Sequence, residues 1–133
     1  MANGGIIGPV QTAVSSPVSA KISTFNSSGT FTAQATGNAN YLVVAGGGGG
    51  ASGGGGAGGY RASGFGPSPL RASATPIVRG VAYTVTVGAG GAGEGNGTDA
   101  TRASNSVFGC ITSTGGGGGI AWNTDGSSCS PGG

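Results

Sequence analysis

The pentapeptide Gly50-Ala51-Ser52-Gly53-Gly54 carries the G-x-S-x-G spacing of a hydrolase nucleophile. A serine becomes nucleophilic there only when a neighbouring base takes its proton, and the 133-residue chain contains no histidine. With 34 glycines, the spacing arises by chance. The same holds for the dinucleotide-type G-x-G-x-x-G matches, which need a helix N-terminus facing a phosphate. Lys21 lies between Ala20 and Ile22, not in the Gly-Lys-Ser/Thr context of a phosphate-binding loop. Three carboxylates exist, Glu94, Asp99 and Asp125. Glu94-Gly95-Asn96-Gly97-Thr98-Asp99 has the makings of a weak calcium loop, but a solvated turn accounts for it more simply. Cys110 and Cys129 have no zinc-ligand company. They either close a loop of about 20 residues, worth roughly 3 kcal/mol, or remain free thiols in a reducing cytoplasm. The expectation is no catalytic residue, no metal site and no cofactor.

The elements that would position any such residue are β-strands. Tyr41-Leu42-Val43-Val44-Ala45 and Tyr83-Thr84-Val85-Thr86-Val87 are rich in β-branched and aromatic types. Lys21–Phe25 and Thr30–Ala33 flank the turn string Asn26-Ser27-Ser28-Gly29 and predict a hairpin. A second turn is expected at Thr36-Gly37-Asn38. Asn40–Ala45 is nearly all apolar and predicts a strand buried on both faces. Residues 60–82 form a longer connection in which Pro67, Pro69 and Pro76 exclude a central strand across the whole stretch. Asn105–Thr114 is a further strand candidate. No window has helical spacing, and glycine costs roughly 1 kcal/mol per helix position. The fold class expected is all-β, a sandwich-like core of short strands with essentially no α-helix, in one domain over residues 18–133. Residues 1–17 form an extended N-terminal segment.

Three strands end where glycine begins, at Ala45/Gly46, Val87/Gly88 and Thr114/Gly115. A random linker would not track strand ends. Two states compete for these tracts, a flexible tether and polyglycine-II-like helices with three residues per turn. The second needs close backbone approach, which only a missing Cβ permits. Ordering a glycine costs at least the usual 1–2 kcal/mol per residue. The tracts are therefore ordered only if several pack together and bond to one another, and their anchorage on strands favours packing. The conventional core is thin, so packed backbone or neighbouring subunits must help hold the chain.

Charged residues are 6% of the chain and the net charge is +2. The five basic residues, Lys21, Arg61, Arg71, Arg79 and Arg102, are scattered, whereas phosphate binding depends on clustered ones. Neither nucleic acid nor membrane is an expected partner. No stretch reaches the 18 apolar residues of a membrane helix, and Ile6-Ile7 is too short for a signal core. Ile6, Ile7, Pro9 and Val10 make an uncharged apolar segment that would be exposed to water unless it docks, so they are candidate docking residues. Tyr60, Arg61, Phe65 and Arg71 combine aromatic and guanidinium groups, types enriched at interfaces. With Trp122 they are the candidate contact residues, although Tyr60, Phe65 and Trp122 would equally cap the glycine layer.

The series Phe25-Asn26-Ser27-Ser28-Gly29-Thr30-Phe31-Thr32, Tyr41–Gly50, Gly58-Gly59-Tyr60-Arg61, Tyr83–Gly93 and Ser106-Val107-Phe108-Gly109 resembles the glycine-rich domain of tail fibre and appendage proteins of tailed bacteriophages. The likeness covers roughly residues 25–119. The opening Gly4–Val10 is similar to N-termini of marine phage structural proteins. The resemblance implies a virion location, with assembly in the host cytoplasm, and a non-enzymatic structural role as capsid decoration or fibre subunit. It also implies a homo-oligomer docked on other virion proteins through its N-terminus. The alternative it raises is a receptor-binding adhesin tip recognising the host surface. This chain has fewer tracts than such adhesins and lacks their long variable loops. A third class, an antifreeze-type bundle, requires a regular G-x-x period that Ala51-Ser52 and Ala57 interrupt.

Overall fold

A computed structural model describes residues 20–64, 66–68, 70–95 and 97–121, and over these the chain is all-β, with no helix. The strands are β1 (Gly29–Thr32), β2 (Gly37–Ala39), β3 (Leu42–Val44), β4 (Tyr60–Ser63), β5 (Arg71–Ala72), β6 (Thr75–Ile77), β7 (Ala82–Thr86), β8 (Ser106–Phe108) and β9 (Ile111–Ser113). They form three small sheets, ordered β1-β7-β8-β9, β2-β6 and β3-β4-β5. All pairs are antiparallel except β4 with β5.

Several local expectations are corrected. Lys21–Phe25 is not a strand, and β1 instead pairs with β7, placing Phe31 opposite Tyr83. The gain is aromatic. Phe31 lies 6.4 Å from Phe25, 6.3 Å from Tyr83 and 5.9 Å from Phe108, centroid to centroid, within the range of favourable ring pairs. The expected turn at Gly37-Asn38 is strand β2, whose partner β6 carries Pro76. A two-stranded ribbon has only edge strands, and there a proline is tolerated. The single strand expected over Asn105–Thr114 is a hairpin turning at Gly109-Cys110. Gly109 has φ +57°, which a two-residue hairpin loop requires at its first position.

Beyond the strands, five extended passes run side by side: residues 45–51, 53–59, 88–94, 100–105 and 114–120. Sixteen backbone hydrogen bonds join them among the described residues. Along the first pass, the N–H groups of Ala45, Gly48 and Ala51 donate to the carbonyls of Gly59, Gly56 and Gly53 in the second. Gly46 and Gly49 donate to Ser104 and Thr101 in the fourth. The carbonyls of Gly47 and Gly50 accept from Gly91 and Glu94 in the third, and those of Gly46 and Gly49 accept from Gly116 and Gly119 in the fifth. Each neighbour is met every third residue. A β-ladder would repeat every second residue.

Glycine is required where the passes touch. A Cβ built on Gly48 would overlap the carbonyl of Gly117, and one on Gly118 would overlap that of Ala100. Exposed Ala57, Ala89 and Ala92 lie on the outside of the bundle, where a methyl group is admitted. The fifth pass is the most enclosed, with Gly115, Gly116, Gly117 and Gly119 buried. Gly48→Ala or Gly118→Ala should therefore destabilise by about 3 kcal/mol or more, at the upper end of overpacking costs. Gly54→Ala, which meets nothing within 4 Å, should be neutral or stabilising by about 0.5 kcal/mol through the unfolded chain. Urea unfolding of the three variants checks the ordering; equal effects would show that the passes are not in contact.

Candidate assembly surface

Strand alternation decides what β3 and β4 present. The register sets Leu42 opposite Ala62, Val43 opposite Arg61 and Val44 opposite Tyr60, and residues directly opposite share a face. Leu42, Val44 and Tyr60 therefore stand together on one face, 61%, 54% and 39% exposed, while Val43 is buried on the other. The expectation that this strand is buried on both faces is thus overturned. A wholly apolar run does not guarantee double burial when the sheet has only three short strands, leaving one face without a covering layer.

The exposed face opens on a groove of about 1110 Å³ between β3-β4 and β7-β8. Its apolar wall includes Phe25, Phe31, Val85, Val107 and Phe108, and its one charged lining residue is Lys21. The interior contrasts with this. Among the described residues the buried apolar ones are Ala33, Val43, Ala45, Ala62, Val85, Ala100 and Ala121, and the largest fully buried side chain is Ser113. Ile22, Val78 and Val81 are also substantially exposed, while the packed rings of Phe25, Phe31, Tyr83 and Phe108 are half-buried. Contiguous exposed apolar surface of this kind is of the type that interaction sites use.

The candidate contact residues are only partly brought together. Tyr60 lines the groove. Arg61 is on the opposite face of β4 and its Nη1 donates to the Tyr60 carbonyl at 3.3 Å. Arg71 is exposed on β5, beside Ala62. Residues 60–63 and 71–72 are strands rather than loop, which sets Arg61 on one face of the sheet and Tyr60, Ala62 and Arg71 on the other. Phe65 and Trp122 lie outside the described residues, as do the docking candidates Ile6, Ile7, Pro9 and Val10.

Polar side chains serve the junctions between strands and passes. Ser106 Oγ accepts from Gly88 N at 2.9 Å and Asn105 Oδ1 from Gly115 N at 2.9 Å. Ser63 Oγ accepts from Tyr41 N at 2.8 Å and donates to Asn40 Oδ1 at 3.1 Å. Thr101 Oγ1 accepts from Ala92 N at 2.6 Å. Asp99 Oδ1 accepts from Ala121 N at 2.9 Å, tying the weak calcium-loop candidate to the end of the fifth pass. Among the described residues no cluster of three or more metal-binding side chains forms, and Cys110 is an exposed free thiol at the hairpin tip, with Cys129 outside the described residues. No helix there is long and apolar enough to cross a membrane.

Sequence comparison matches residues 24–133 to the family described as a glycine-rich domain. No curated protein and no solved structure matches.

Because Leu42 and Val44 support no interior, Leu42→Ser with Val44→Thr should shift the unfolding free energy by no more than about 0.5 kcal/mol, as for ordinary surface positions. Binding of an apolar dye should fall in the same variant. A loss of several kcal/mol in urea unfolding would return these residues to the core.

Proposed function

Starting from its membership of the glycine-rich domain family, we propose that this chain is a non-enzymatic structural protein of a bacteriophage particle, displayed on the particle surface and acting by assembly. Capsid decoration or a fibre subunit are the forms of that role. The observation that carries the reading is the inversion of the usual division between inside and outside. Among the described residues the glycine passes pack backbone on backbone, and Ile22, Leu42, Val44 and Tyr60 are exposed along an open groove. An enzyme of this size would use its interior to hold reacting groups. Here the interior offers amides already committed to one another.

The five passes are, in this reading, polyglycine-II-type helices. Support comes from the return of each neighbour every third residue, as in an extended helix with three residues per turn. Such a bundle contributes shape and rigidity with little charge. The partners are further copies of the chain and other virion proteins, the latter engaged through Ile6, Ile7, Pro9 and Val10. A tip adhesin would require the aromatic and guanidinium groups at 60–71 to act together on a host receptor. The alternation of Tyr60 and Arg61 across β4 weighs against that use.

The test is made on particles purified from the infected host. Mass spectrometry should find the chain at many copies per particle, and electron microscopy should place its density on the surface. A chain left wholly in the lysate and missing from intact particles would end the proposal.

A further inference from the structure

We propose that the furrow between the first and third glycine passes, on the side away from the fourth and fifth, binds one more extended, glycine-rich main chain, supplied by a partner protein. The inference stands on the hydrogen bonding of the bundle and not on the particle role above.

The hydrogen bonds fix which positions around the first pass are filled. The second pass bonds to the fifth, the fifth to the fourth and the fourth to the third. Around the first pass its neighbours therefore run second, fifth, fourth, third, and the remaining arc is open. What the first pass offers them alternates. Its N–H groups serve the second and fourth passes, and its carbonyls serve the fifth and third. The next position, past the third pass, belongs to N–H groups again. Gly47 and Gly50 supply them, being the set that a three-residue repeat leaves over. Neither N–H has an acceptor among the described residues.

The third pass faces the same furrow with an acceptor. Gly46 donates to the fourth pass and its carbonyl accepts from the neighbouring fifth, so the two groups of one residue point to adjacent positions. Gly91 donates to the first pass, and the fourth pass takes the carbonyls of Ala89 and Ala92. The Gly91 carbonyl is thereby turned into the furrow, and it has no donor among the described residues. A chain lying there accepts from Gly47 and Gly50 and donates to Gly91, the same kind of exchange that already joins the passes.

Sterics select the occupant. Gly47, Gly50, Gly90 and Gly93 are exposed on this side of the bundle. A Cβ on Gly90 would meet the Gly47 carbonyl oxygen at 3.4 Å, and one on Gly93 would come no nearer than 3.2 Å to the Gly50 carbonyl oxygen. The fold itself leaves space there, unlike at Gly48 or Gly91, where a Cβ would overlap a carbonyl. Bonding to both rows brings main chain against main chain, which a side chain on the incoming strand prevents. The occupant is therefore extended and glycine-rich. A second copy is a poor donor of it, because the outside of its bundle carries the methyl groups of Ala57, Ala89 and Ala92.

The test is an amide NMR titration of the full chain with a soluble peptide, a glycine run carrying lysine at each end. The Gly47 and Gly50 amide signals should shift and exchange more slowly with solvent, while that of Gly48, already bonded to the Gly56 carbonyl, stays in place. The same peptide with alanine for glycine should move none of them. Gly90→Ala should lower the affinity for the glycine peptide about tenfold, the effect of a methyl overpacked against main chain, and leave the urea midpoint of the free protein unchanged. Gly93→Ala repeats the measurement further along the furrow. No response to the glycine peptide, an equal response to the alanine peptide, or unchanged binding by both variants overturns the inference. A lowered urea midpoint for Gly90→Ala also overturns it, since the fold itself would then demand that glycine. Shifts at Gly47 and Gly50 on raising the protein concentration alone would give the furrow to a second copy and overturn the choice of partner. None of these outcomes bears on whether the chain is found in purified particles, so the proposed function stands or falls separately.

Discussion

The structure depends on the approach of one main chain to another at distances that exclude a Cβ. At Gly48, Gly49, Gly91, Gly116, Gly118 and Gly119 an added methyl would overlap a carbonyl oxygen of a neighbouring pass. This closeness lets amides bond directly between passes, and it removes from the interior the side chains that ordinarily fill one. What results is an interior whose largest fully buried side chain, among the described residues, is a serine. Each bond adds only about 1 kcal/mol net, but a buried amide left without a partner costs about 1–3 kcal/mol. The bundle is therefore cooperative in a particular sense, since displacing one pass strands the donors and acceptors of its neighbours.

That constraint explains the placement of everything else. The passes cannot start themselves, because glycine loses more freedom on ordering than any other residue. Strands supply the starting geometry, and β3, β7 and β9 each deliver the chain into a pass at its first residues. Short polar side chains complete the hand-over, as Ser106 does for Gly88 and Asn105 for Gly115. One hydroxyl at such a junction, Ser113 Oγ, is buried without a partner. It sits where a side chain on Gly59 would collide with it, so close packing of the junction is achieved there at the expense of a hydrogen bond. On the outside, Ala57, Ala89 and Ala92 blunt the bundle against further lateral addition, because a methyl on that face prevents another main chain from coming as near.

The all-β class and the strand-then-glycine order were legible because both are local signals, β-branched alternation on one hand and loss of side chains on the other. Partner choice was not. Phe25 and Phe31 flank a good turn string, yet β1 takes β7 as its neighbour, and the packing of Phe31 on Tyr83 and Phe108 is a long-range event that no local window contains. Residues 46–59 read as one tract but make two antiparallel passes, turning where Ala51 N reaches the Gly53 carbonyl. The interruption at Ala51-Ser52 was the available signal. The fourth pass, Ala100–Asn105, was missed because it lacks glycine. Its period-three placement of Ala100 and Ala103, whose N–H groups both donate to the fifth pass, is the pattern that would have revealed it. At the surface, the separation of Tyr60 from Arg61 across β4 follows from strand register, which composition does not carry.

Placing the backbone inside also couples stability to association. A conventional domain uses its large apolar side chains once, in its own core. Here Leu42, Val44 and Tyr60 remain largely available after folding. Full burial of such side chains contributes about 1.5–3 kcal/mol each, which is appreciable against the 5–15 kcal/mol that holds an ordinary domain together. Any partner that covers the groove binds only the folded form, because the groove requires β3 beside β4 and β7 beside β8. Association then stabilises the fold by mass action. A chain whose glycine bundle is costly to order would gain in this way from any partner that covers the groove.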